Sequence, residues 1–223
     1  MRDLTAAQGW PVAHASVIHC GIDTAAFSVT QDHANFNQLL WVGRLAPDKD
    51  PLTAIRALAA ARHAGLNHLT LDLYGHGDPS YISQIDSEIA ILGLTEIVRR
   101  KLAPAEDMRR LYAEYDALLF TSNWGEPFAL TPLEAMASGL PVITSLDGGQ
   151  AELARHGVNC LVAAAAEPAT YANRIAELAA APQLRTTIAA ASLAEVRSRF
   201  DLNPITRQIE TFLLNSRRGG ELE

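Results

Sequence analysis

Cysteine is nearly absent from this 223-residue chain: only Cys20 and Cys160 occur. Two thiols suggest neither a disulfide framework nor a thiolate metal site, and a reduced, cytoplasmic setting is the default expectation. Long apolar runs are lacking too. None approaches the ~20 residues that span a bilayer, and the N-terminal MRDLTAAQGWPVAHAS has no apolar core of a signal peptide. Positive charge is in deficit, with 18 Lys and Arg against 25 Asp and Glu, which argues against a general nucleic-acid binder. The basic clusters Arg99-Arg100-Lys101, Arg109-Arg110 and Arg217-Arg218 are short and read as solvated faces. The histidines show no metal-ligand spacing, and no G-x-S-x-G occurs. What remains is an ordinary globular composition, long enough for one sizeable domain or two small ones.

Short apolar strands alternate with helical patterns. Leu39–Gly43, Leu69–Tyr74, a segment around Ile97, Ala117–Thr121, Pro141–Thr144 and Val158–Val162 read as strands. Helices are expected from Asp50-Pro51, over Tyr81–Leu92 and Glu106–Tyr115, from Thr131-Pro132 to Gly139, and briefly through Ala154. Three more follow: Ala169–Ala180, Gln183–Arg199 and Pro204–Leu214. Near-continuous apolar strands between helices predict an α/β fold, a doubly wound parallel sheet covered on both faces as a three-layer α/β/α sandwich. Residues 1–214 would form one Rossmann-like domain and 215–223 a tail. Ligands of such sheets bind at the C-terminal ends of the strands, where the strand order reverses.

The richest segment is NWGEPFALTPLEAMASGLPVITS, from Asn123 to Ser145. Glu126 stands on the loop entering a helix, and Glu134 is expected inside its first turn. Their shared space also receives the free N–H groups of the helix start, which favour an anion. Carboxylates accept from sugar hydroxyls and N–H groups donate to phosphate oxygens, so the pattern suits a nucleotide sugar. Local sequence leaves other uses open. Thr131-x-x-Glu134 fits a capping box with Pro132 at the first helical position, and Glu126 fits a solvated loop carboxylate.

A second group follows the first strand. Gly43, Arg44 and Lys49 lie on one loop, so two cations could reach one diphosphate and stabilise the charge that builds as a sugar leaves. Two solvated side chains are the alternative. Asp48-Lys49-Asp50 spells D-x-D, but Asp50 is better used as a helix N-cap before Pro51. Gly75-His76-Gly77 resembles the start of a dinucleotide fingerprint whose third glycine is replaced by Ser80. A tight strand-to-helix turn accounts for it, while the glycines would still permit close approach of a nucleotide.

These landmarks together resemble the C-terminal, donor-binding domain of the family 4 glycosyltransferases, which have the two-domain GT-B architecture. Val17-Ile-His-Cys-Gly-Ile-Asp23…Phe27 resembles the family's V-x-P-N-G-V-D…F. Val42-Gly-Arg-Leu45…Lys49, the Gly75-His-Gly77 turn, and Leu111-Tyr112…Asp116 follow in order. Glu126-Pro-Phe-Ala-Leu-Thr-Pro-Leu-Glu134-Ala-Met-Ala resembles E-x7-E with EAMA, and Gly148-Gly149…Glu152 and Gly157…Leu161-Val162 complete the set. The likeness covers about Val17 to Leu214. It departs at His19-Cys20, at Asp50, at Ala129, and at Lys101, where the family has glycine on a segment that often lies against the base.

The resemblance implies that Glu126 accepts donor-sugar hydroxyls and Glu134 ribose hydroxyls. Arg44 and Lys49 would hold the diphosphate with the N–H groups of Phe128, Ala129 and Leu130. Gly43, Gly75, Gly77 and Lys101 would complete the donor site. It implies transfer of a hexosyl group from a UDP- or GDP-linked donor to a glycan, lipid or small-molecule acceptor, with retention, no required metal and no cofactor. The acceptor would be held mainly by an N-terminal domain beyond this chain, so the isolated chain is expected to be inactive. The full-length protein would be cytoplasmic, with a peripheral place at the inner membrane face compatible with the family. In the family a closing helix crosses to the N-terminal domain, which leaves Pro204–Leu214 to move or to pack on another copy. Rival readings are a sugar-nucleotide epimerase or glycan phosphorylase of the same architecture, and a non-catalytic nucleotide-binding module.

Overall fold

The computed structural model describes residues 6–9, 15–29 and 32–219. Much of the stretch 1–16 and the Glu221–Glu223 end therefore lie outside the described residues. Six strands form one parallel sheet: β1 (Gln38–Val42), β2 (Thr70–Tyr74), β3 (Val98–Lys101), β4 (Ala117–Phe120), β5 (Val142–Thr144) and β6 (Leu161–Val162). Their order is β3-β2-β1-β4-β5-β6. The sequence runs outward from β1 to β3, then returns to the middle and runs outward the other way. The reversal opens a crevice between the C-terminal ends of β1 and β4.

Alternation along β1 assigns the layers. Leu39 and Trp41 join Ile55 and Leu58 of helix α1 (Pro51–His63), Ile85 of α2 (Pro79–Ile91) and Ile175 of α5 (Pro168–Ala180) on one face. Leu40 joins Leu133 and Met136 of α4 (Leu130–Ala137) and Val196 of α6 (Pro182–Arg199) on the other. Helix α3 (Ala105–Leu111) packs Met108 and Leu111 against this second face. The central strands bury side chains on both faces, so they are apolar almost without interruption.

Asp50 does cap α1, accepting from the Thr53 N–H at 3.1 Å. Other boundaries differ from the sequence expectation. α2 starts at Pro79 rather than Tyr81, because Asp78 caps it through Ser80 N at 2.8 Å. The helix expected over Glu106–Tyr115 stops at Leu111 and tightens into a 3₁₀ turn, Tyr112–Glu114. Of the expected last strand only Leu161–Val162 joins the sheet, while Cys160 makes an isolated bridge to His156. Residues before it form a turn closed by Gly157 N–H to Cys160 C=O at 2.8 Å.

The last helix, α7, runs from Leu202 to Gly219, longer at both ends than the expected Pro204–Leu214. Ile205 of α7 is buried, while Leu202, Ile209, Leu213 and Leu214 are exposed. The segment before β1 is tied to the α6–α7 junction: Ile22 N–H donates to Phe200 C=O and Leu202 N–H to Ile22 C=O. No described helix is long and apolar enough to cross a membrane.

Candidate functional site

Two loops wall the crevice, one following β1 and one following β4. They are laced together by hydrogen bonds that leave the side chains of Arg44, Lys49 and Glu126 out. The buried Trp41 indole donates to Thr121 Oγ1 at 2.9 Å, and that hydroxyl donates to Asp50 C=O at 2.7 Å. Ser122 Oγ and Asn123 N–H both donate to Asp48 C=O, at 3.2 and 3.1 Å. Asn123 Nδ2 reaches Asp50 Oδ2 at 3.1 Å. The loop carrying Lys49 and the loop carrying Glu126 therefore behave as one rigid wall.

On that wall Lys49 Nζ and Glu126 Oε1 meet at 2.6 Å, and both side chains are more than four-fifths buried. The other oxygen, Glu126 Oε2, is buried without a hydrogen-bond partner. A buried carboxylate oxygen left unpaired is costly, and it marks a place for a donor that the protein does not supply. Arg44 is the more exposed cation and pairs with Asp48 Oδ2 at 2.9 Å.

Gly148 and Gly149 back the loop from behind. A Cβ on Gly149 would lie 1.8 Å from Pro127 C=O, and one on Gly148 2.3 Å from Glu126 C=O. Only glycine lets the two loops touch, and Gly149 N–H donates to Glu126 C=O at 2.7 Å. Phe128 is held against His19, whose Nε2 lies 2.6 Å from Glu152 Oε2; the two ring centroids are 5.0 Å apart.

The capping box that local sequence left open does not form. α4 begins at Leu130 with Ala129 as N-cap and no side-chain cap, so Thr131 and Pro132 already lie inside it. Glu134 is the fifth helical residue rather than the third, too far along to reach back to the N-cap N–H. Its partner is Tyr112, whose hydroxyl donates to Glu134 Oε2 at 2.8 Å. Burial, then the facing carboxylate, pushes the Tyr112 phenol well above its ordinary value, so it stays a donor. Beside them lies a cavity of about 250 Å³, lined by Glu134, Tyr112, Val42, Phe27, Met108 and others. The uncapped α4 N-terminus, with Ala129 buried and Leu130 exposed, leaves first-turn N–H groups for an outside acceptor. Tyr112→Phe would leave Glu134 Oε2 without this donor and is expected to cost about 1 kcal/mol, read as a Tm lower by a few degrees in thermal unfolding.

Gly75 and Gly77 are used by the fold itself. A Cβ on Gly75 would sit 1.8 Å from Gly43 C=O, and one on Gly77 2.1 Å from Leu45 C=O. Their absent side chains let the β1 and β2 loops continue the ladder, with Leu45 N–H donating to His76 C=O at 2.8 Å. Lys101 ends β3, next to β2, and is engaged by a group that sequence reasoning missed. Asp72, buried inside β2, accepts from Lys101 Nζ at 2.6 Å, Arg99 Nε at 2.7 Å and Tyr115 Oη at 2.6 Å. A single acid in the strand Leu69-Thr-Leu-Asp-Leu-Tyr74 was the available signal, since a buried carboxylate demands partners. Tyr112 carried none beyond its place before the glutamate segment.

Comparison with known proteins supplies the context. A model of the glycosyl transferases group 1 matches residues 24–193. The D-inositol 3-phosphate glycosyltransferase of Frankia alni is 32% identical over 162 residues, covering 70% of this chain and 40% of that protein. The glycogen synthase of Mycobacterium tuberculosis is 30% identical over 225 residues, covering 97% of this chain and 52% of that one. This chain thus spans about half or less of the length of these curated relatives. Among solved structures, Anabaena HepE in complex with UDP superposes with a TM-score of 0.88 and 28% identity, over 96% of this chain and 61% of that one. HepE has also been crystallised with UDP-glucose. The ordered motifs, the six-stranded sheet and these matches agree: the chain belongs to the group 1 glycosyl transferases.

Proposed function

We infer that this chain binds a nucleoside-diphosphate sugar in the β1/β4 crevice and forms the donor side of a retaining glycosyltransferase. The observation that carries the reading is Glu126, a buried carboxylate with one oxygen on Lys49 and the other unpartnered, beside an uncapped helix N-terminus. A diphosphate would take the Lys49 ammonium, Arg44 and the N–H groups of Phe128, Ala129 and Leu130. A sugar hydroxyl would then donate to Glu126, and ribose hydroxyls to Glu134. When the bond from the anomeric carbon to the diphosphate oxygen breaks, the cations and the helix terminus stabilise the growing negative charge. The departing phosphate oxygen accepts the proton of the acceptor hydroxyl as the new glycosidic bond forms on the same face. UDP is the first nucleotide to consider, because HepE was crystallised with it. The acceptor would be bound by a part of the protein corresponding to the remainder of its longer relatives.

Thermal stability against millimolar UDP, GDP, ADP and dTDP tests the reading. A nucleotide at about 100 times its Kd should add about 2.7 kcal/mol, a shift of several degrees. A shift with none of the four would sink it. The chain alone is expected to show no sugar transfer. Product analysis with the full-length protein separates transfer from epimerisation or phosphorolysis.

A further inference from the structure

Trp124 is the large aromatic of the crevice wall that nothing above uses. It is 51% exposed, two residues from Glu126. Its loop is held on both sides: Asn123 by Asp48 and Asp50, and Gly125, at φ +70°, by Asp147 Oδ2 at 3.0 Å. Lys49 Nζ lies 5.2 Å from the centre of its ring, so the indole stands beside the Lys49–Glu126 pair. Loop tips ordinarily carry small polar residues. A half-exposed indole on a pinned loop is instead a rigid apolar surface offered to a ligand at little entropic cost.

We propose that Trp124 is a sugar platform, packing against the C–H face of a pyranose ring whose hydroxyls reach Glu126. A pyranose is amphipathic: its rim carries hydroxyls and its face carries axial C–H groups. The carboxylate with a free acceptor suits the rim, and the adjacent indole suits the face, through dispersion and removal of apolar surface from water. Lys49 between them belongs to the diphosphate in the reading above, on which this proposal rests. The ring could come from the donor's hexosyl group or from a sugar on the acceptor side; the chemistry is the same.

Calorimetric titration of the chain with UDP and with UDP-glucose, followed by methyl α-glucoside into the UDP-saturated chain, separates the cases. For Trp124→Ala on the donor assignment, the affinity ratio of UDP-glucose to UDP should fall about ten-fold, with the UDP Kd within two-fold of wild type. Trp124→Tyr should recover most of the ratio. An unchanged ratio, with loss of the methyl α-glucoside signal seen in wild type, assigns the platform to an acceptor-side ring. Equal weakening of UDP and UDP-glucose would overturn the proposal, leaving the indole as a support for Lys49 alone. No effect on any titration would overturn it as well. Failure of the wild-type chain to bind UDP would overturn the nucleotide reading first, and the platform with it.

Discussion

Alanine at Glu134 is expected to remove nearly all the thermal stabilisation conferred by the nucleotide that binds. Two ribose hydroxyls donating to one carboxylate make charge-assisted hydrogen bonds worth about 1.5–3 kcal/mol each. Losing them should weaken binding by about 3 kcal/mol, more than a hundred-fold in Kd. At a concentration that gives wild type about 2.7 kcal/mol, the variant would retain only a few tenths. The variant also strands the buried Tyr112 hydroxyl, which should lower stability without ligand by about 1–2 kcal/mol. Combining it with Tyr112→Phe removes that orphan. The double variant should recover the ligand-free stability and still not respond to nucleotide. A double variant that responds normally would show that Glu134 serves the fold and not the ligand.

The second large effect concerns Asp72, and it is an effect on folding. Asp72→Asn keeps the shape but takes the negative charge away from Lys101 and Arg99 inside the sheet. A cost of about 2–3 kcal/mol is expected at neutral pH, tempered because both cations can turn to water. That corresponds to a Tm lower by roughly 5–10 °C for a chain of this length. Burial acts to raise the Asp72 pKa, but hydrogen bonds from Lys101, Tyr115 and Arg99 outweigh it and hold it below the usual carboxylate value. A depressed folded-state pKa stabilises the fold above the unfolded value, near 4, and the contribution disappears as pH falls through the folded value. The gap in Tm between wild type and Asp72→Asn should therefore be full at pH 7 and shrink below about pH 4. A gap that stays constant with pH would assign the loss to packing.

Much of this was decided locally. The strands β1 and β4 are legible because burial on both faces leaves a continuous apolar run, and Asp50-Pro51 announces a helix because capping involves only adjacent residues. Arg44, Lys49 and Glu126 were legible as a charged group on loops after strands. The capping box that Thr131-x-x-Glu134 left open is not used, since the same four residues fit a first turn or an interior turn and the helix starts earlier, at Leu130. Glu134 shows the division most plainly. Its presence and helical setting are sequence facts, while its pairing with Tyr112, 22 positions away, follows from the return of β4 to the centre of the sheet. Asp72 with Lys101, and Gly149 beneath Pro127, are likewise contacts between segments that only the strand order brings together. Which segments are strands and helices, and the ordered family motifs, can be read along the chain because they depend on residue type and short-range spacing. The tertiary structure alone decided which charges neutralise one another and which carboxylate oxygen is left without a partner, because Coulomb and desolvation energies depend on distance and burial rather than on position in the chain.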